Sequence, residues 1–133
     1  GTGEGIGLGR VEQGKRSGGR IKTGRPVILG SLPKEIVRRI IRSRSAALRY
    51  CYEKMLARNP NLKGKVVVKF VISTAGAVQT AKVIKTTLKS KQVERCLARV
   101  VKRMKFPSPK GGGIVVVTYP FIFSTDKVKK DAK

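Results

Sequence analysis

Histidine and tryptophan are absent from the 133 residues, acidic residues number only 7, and aromatics make up 5%. Without histidine there is no imidazole base and no Cys/His metal-ligand spacing, so the commonest acid–base and zinc arrangements are excluded. The carboxylates Glu35, Glu53, Glu94 and Asp126 are isolated from one another in the expected fold. Glu53 and Glu94 read as surface ion-pair partners of neighbouring Arg and Lys rather than as an acid–base couple. No nucleophile–base pair and no phosphate loop is found. The chain is therefore expected not to be an enzyme, with no catalytic, cofactor-binding or metal-ligating residues. The scarcity of aromatics also leaves little for a nucleic-acid stacking platform. No apolar run approaches the ~20 residues of a membrane span, and no signal-peptide pattern opens the chain. A start at Gly1 suggests a fragment whose anchor or targeting segment lies upstream.

What the chain has in excess is positive charge. Lys and Arg total 31, giving a formal charge of +24, so the molecule attracts anions and is sensitive to salt. Nucleic acid, lipid headgroups, anionic cell-wall polymers and acidic proteins are all compatible with that charge. A folded part of roughly 95 residues buries only about 60–65% of its unfolded surface, so the core is small.

Residues 1–30 carry ten glycines among Lys and Arg and few large apolar side chains. Such a segment buries too little to offset its ordering entropy, and it reads as a flexible basic linker. The glycine run "GEGIGLG" has neither a preceding strand nor a following helix, so it lacks the context of a dinucleotide fingerprint. From Ser31 the character changes. Pro33 and Glu35 suit a helix start. Ile36, Val37, Ile40, Ile41, Leu48, Cys51 and Met55 then share one face at three- and four-residue steps, predicting a helix of about 25 residues, bent near "RSRSA" and ended at Asn59-Pro60. Its other face carries Arg38, Arg39, Arg42, Arg49 and Lys54, which reads either as a solvated surface or as a strip for anions or a partner.

In "KVVVKFVIS", Val66, Val68, Phe70 and Ile72 alternate toward one face while Val67 and Val71 keep the other half apolar, as in a central strand. "TAGA" turns the chain into a more polar strand with room for a bulge near Thr80. Ser90 is placed to cap the helix "KQVERCLARVVKRMK", whose stripe runs through Val93, Cys96 or Leu97, Val100 or Val101, and Met104. After the "FPSPKGGG" break, "IVVVTYPFIF" is the third strand, and residues 125–133 form a charged tail. A crossover through the second helix makes the third strand parallel to the second, which gives strand order 2-1-3 with both helices on one face. The expected fold is thus α+β, with a three-stranded antiparallel/mixed sheet over residues 31–124, its third strand antiparallel beside the first. The third strand lies at an edge, where Pro120 is tolerated.

Both cysteines fall in the apolar stripes of helices on the same face. Cys51 and Cys96 can be two inert core thiols, a disulfide, or a reactive pair, the last without a CxxC motif or a histidine to support it.

The elements "GSLPKEIVRRIIRSR", "YCYEKMLARNPNLKGKVVVKFVISTAGAV", "VERCLARVVKRMKFPSPKGGG" and "VTYPFIF" resemble the AgmX/PglI C-terminal domain family, a TonB-like family of gliding and predatory bacteria. The resemblance covers about residues 28–124 and implies that the expected layout is TonB-like. It implies that the family's cysteine pair, bonded as a disulfide, falls on Cys51 and Cys96, its strand signature on residues 64–76, and its turn on Phe106 and Pro107. It also implies a periplasmic domain tethered to the inner membrane by an upstream segment. Such a domain would pass work from a proton-driven motor to an outer-membrane or periplasmic protein, with gliding motility as the expected process. Capture of a partner segment at an exposed edge strand places the contact on Ile114, Val115, Val116, Val117, Thr118 and Tyr119, where main-chain hydrogen bonds supply affinity. The charge leaves room for contact with anionic cell-wall or lipid phosphates, and the free edge leaves room for a homodimer. No specific nucleic acid is expected. The alternatives are a basic nucleic-acid-binding domain and a static cell-wall or assembly adaptor.

Overall fold

A computed structural model describes residues 18–125. The first seventeen residues of the expected linker and residues 126–133 of the expected tail lie outside them. The fold is α+β, an antiparallel sheet with helices on one face.

The centre of the sheet is the antiparallel pair of β3 (Gly64–Ile72) and β5 (Val115–Thr125), in continuous register from Gly64↔Phe123 to Ile72↔Val115. Side chains alternate across a strand, so every second residue faces the helices. Val66, Val68, Phe70 and Ile72 from β3 and Val117, Tyr119 and Phe121 from β5 are sealed from solvent. The hairpin partner β4 (Val78–Thr86) pairs antiparallel with the other side of β3. Two register shifts interrupt that ladder: Val71 faces Thr80 while Ile72 faces Val78, and Val67 faces Lys85 while Val68 faces Val83. The first is the irregularity anticipated near Thr80.

The order β4-β3-β5 is the expected 2-1-3, but the sheet has five strands rather than three. β1 (Gly19–Thr23) pairs with β5 from Thr125 to Phe121, and β2 (Val27–Leu29) pairs with it from Thr118 to Val116. Two expectations are corrected here: residues 19–23 and 27–29 belong to the sheet and not to a linker, and β5 is not an edge strand. An edge strand needs little apolar content of its own when a long neighbour offers a row of unpaired backbone groups. Ile21 and Ile28 are the side chains that β1 and β2 pack against the core. Pro120 lies where the outer ladder is interrupted between β1 and β2, and its carbonyl accepts the Gly24 N–H at 3.0 Å.

The long helix expected from Pro33 onward is two: α1 (Lys34–Ser43) and α2 (Ser45–Leu56). Arg44 leaves the helical region at φ −108° and ψ 15°, and the Ser43 hydroxyl donates back to the Ile40 carbonyl. Serine side chains compete in this way for helix backbone. The break lets Val37 and Ile41 of α1, then Leu48, Cys51, Tyr52 and Leu56 of α2, reach one core, while Met55 is only half-buried. Helix α3 (Lys91–Lys102) begins at Ser90, whose hydroxyl accepts the Val93 N–H at 3.3 Å. Leu97 and Val101 are its inward residues. Cys96, one position aside, is joined to Cys51 in a disulfide with the Cα atoms 5.6 Å apart, tying α3 to α2.

Two local contacts fix the ends of the layers. At the "TAGA" turn Gly76 has φ +93°, and its carbonyl accepts the Phe106 N–H at 2.9 Å. A Cβ on Gly76 would come within 2.0 Å of the Phe106 carbonyl oxygen. Phe106 is thereby held over Phe70, with ring centroids 5.9 Å apart. On the opposite side the Tyr52 ring lies 4.9 Å from that of Phe123, and its hydroxyl donates to the Leu62 carbonyl, closing the loop between α2 and β3. Burial pushes the Tyr52 phenol up to about 12.

Three stability measurements follow. Replacing both cysteines (Cys51→Ala with Cys96→Ala) is expected to cost about 4 kcal/mol by the loop-closure argument for a 45-residue separation, read from urea unfolding of oxidised wild type and variant. Gly76→Ala should cost more than about 2 kcal/mol, because a left-handed backbone and a contact with a fixed carbonyl oppose the new methyl together. For Tyr52 the folded phenol ionises later than the unfolded one. Its stabilisation is therefore complete below about pH 10 and is lost as pH rises toward 12. The stability difference between wild type and Tyr52→Phe should shrink across that window in pH-dependent urea melts. A difference constant to pH 12 would contradict the assignment.

Candidate functional site

The outer side of β5 is where sequence reasoning placed partner capture, and the structure divides those residues. Ile114 precedes the strand and is 51% exposed, whereas Val115, Val117 and Tyr119 turn into the core. Val116 and Thr118 are half-buried on the open face, and the backbone from 116 to 118 is already paired with β2. That cover is short. β2 has three residues, its Val27 and Leu29 are 56% and 64% exposed, and the non-strand residues Gly24, Arg25 and Pro26 separate it from β1. At its far end Gly30 has φ +131°, and a Cβ there would meet the Ile114 carbonyl at 2.8 Å. Val27, Leu29 and Ile114 thus form a small exposed apolar group along this edge.

The opposite edge is built differently. β4 carries Lys82 and Lys85 as exposed residues, is displaced by two register shifts, and leaves Ile84 outside the paired positions. Lysines and bulges are what sheet edges use to discourage added strands. The two edges are therefore not equivalent as docking sites.

The five residues of the expected basic face also separate. Arg38 and Arg42 of α1 and Arg49 of α2 line one recess of about 400 Å³, together with Lys22 and Thr23 of β1, Ser45, and Tyr119 of β5. Ile21, Ile41 and Leu48 complete its wall. Arg39 and Lys54 are not part of it. Lys54 instead sits 5.2 Å from the centre of the Tyr50 ring. Burial pushes the Tyr119 phenol up, opposed by a hydrogen bond with Thr23 and by the positive charges of Arg38 and Arg42. The recess forms because β1 crosses the open side of α1 and α2, an arrangement that depends on a pairing no local pattern announces. Its β1 contributors, Lys22 and Thr23, were accordingly not singled out from the sequence.

Six of the seven aromatic residues are core residues, leaving Tyr50 as the exposed one at 59%. That is no platform for stacked bases, which the nucleic-acid alternative requires. Among the described residues no helix is long and apolar enough to cross a membrane, and no group of three or more His, Cys, Asp or Glu could hold a metal.

The family described as the Gram-negative bacterial TonB protein C-terminal matches residues 55–125. The solution NMR structure of the TonB C-terminal domain of Pseudomonas aeruginosa is 22% identical over 53% of this chain and 74% of that one, with a TM-score of 0.40. No curated protein matches the chain. The family match spans the last two residues of α2, the β3–β4 hairpin, α3 and β5, which include the three strands of the central sheet. The chain belongs to the TonB C-terminal domain family, whose members are periplasmic domains that bind proteins of the cell envelope.

Proposed function

We propose that this chain is the partner-binding end of an envelope coupling protein, and that it takes an extended segment of an outer-membrane or periplasmic protein along β5 in exchange for β2. The observation that carries the reading is the contrast between the edges. β2 contributes only three residue pairs and leaves Val27 and Leu29 largely exposed, whereas β4 is guarded by lysines and bulges. A longer incoming strand would keep the hydrogen bonds that β2 makes and add others toward Ile114, with alternate side chains meeting the Val116 and Thr118 face. A segment held this way and pulled along its length loads several main-chain bonds together. That suits the transmission of work from a proton-driven motor through an upstream inner-membrane tether, with gliding motility as the process served.

A photo-crosslinking amino acid at position 118, compared with one at position 84, tests the reading in living cells. Adducts with an envelope protein are expected at 118 and not at 84. Their yield should fall when the proton gradient is collapsed. Adducts concentrated at 84 would move the site to β4, and a yield indifferent to the gradient would leave a static wall or assembly adaptor.

A further inference from the structure

The recess beneath β1 is independent of the outer edge, and its chemistry is specific. Four cationic residues are among its lining: Arg38, Arg42 and Arg49 from the helices and, at the β1 rim, Lys22, whose pairing with Ile122 places its side chain toward the other face of the sheet. No carboxylate is among its lining residues; Glu53, 3.6 Å from the Arg49 guanidinium, offsets one of the four charges from outside. Three hydroxyl-bearing residues, Thr23, Ser45 and Tyr119, are also among its lining, the side chains of Thr23 and Tyr119 being hydrogen-bonded to each other. A second recess of about 540 Å³ continues along β1 and shares Lys22 and Arg49 with the first.

We propose that this recess, closed by β1 over α1 and α2, is a binding site for a phosphate group. A carboxylate offers two oxygens in a plane and suits one guanidinium fork, whereas a phosphate presents oxygens in three dimensions. It can therefore accept from the Arg38 and Arg42 forks and from a hydroxyl such as that of Ser45 at once. The apolar wall of Ile41 and Leu48 keeps part of the recess dry, which strengthens each charged contact. Because Lys22 and Thr23 come from β1, a phosphate bound here bridges β1 to the helices. Occupancy holds the strand in place. The site stands whether or not β2 yields to a partner.

The test must separate a built site from the general attraction of a +24 protein for anions. Inorganic phosphate is titrated at constant ionic strength into the wild-type chain while backbone amides are followed by NMR. The expected result is saturable shifts at Thr23, Arg42 and Ser45, with slower hydrogen exchange of the β1 amides. Arg38→Gln with Arg42→Gln should weaken binding at least tenfold, while Arg39→Gln with Arg58→Gln, which removes the same charge elsewhere, should leave it unchanged. Vesicles of phosphatidylglycerol then distinguish the source. Displacement of phosphate from these amides identifies a lipid headgroup, and indifference to vesicles identifies a soluble or wall-borne phosphate. Equal, non-saturating shifts in both double variants, or no change in β1 exchange, would overturn the proposal.

Discussion

The β3–β5 ladder is the constraint on which the remaining structure rests. Its nine residue pairs run without a shift, and each strand presents an unbroken inward row of Val, Phe, Tyr or Ile. A sheet with one such apolar face must cover it, and a small domain has few elements with which to do so. Helices α2 and α3 answer that need from the same side, and the Cys51–Cys96 bridge fixes their mutual position. Tyr52 and Phe106 then close the two ends of the layer, one through the Leu62 carbonyl and one through Gly76.

The same ladder creates the functional asymmetry. Because β5 is longer than the partners beside it, its outer side has to be completed by separate short strands, and the completion is strongest where β1 covers Phe121 to Thr125 and weakest where β2 covers Val116 to Thr118. β4 shields the opposite edge with charge and irregular pairing. One sheet thus carries an edge guarded by lysines and irregular pairing and another covered only by short strands.

Charge acts on two scales. The total of +24 sets a long-range, salt-screened attraction that does not distinguish one anion from another. Only where β1 brings Lys22 and Thr23 to Arg38 and Arg42 do the cations acquire shape and hydroxyl partners. An even spread of Arg and Lys in the sequence therefore becomes a group of cations gathered at adjoining recesses beside β1 and other side chains left in solvent, of which Arg39 is an example.

The central strand, the 2-1-3 order, the Ser90 cap and the apolar stripes of α2 and α3 were legible in the residues, since strand alternation, helical periodicity and capping are local or follow from chain handedness. Tyr52 could have been found as well, lying four residues from both Leu48 and Leu56 on one helix face. The break at Arg44 was visible only as a serine-rich weak point, because whether a helix bends or splits depends on what each half packs against. What the tertiary structure alone decided is the fate of residues 19–29. Their sequence has too few apolar residues to order itself, and it becomes strand because the open backbone of β5, almost a hundred positions away, supplies the hydrogen bonds. The sequence determined a covered sheet with a long last strand; the pairing of that strand with residues 19–23 and 27–29 determined which edge is covered by short strands and where the recess lined by Arg38, Arg42 and Arg49 lies.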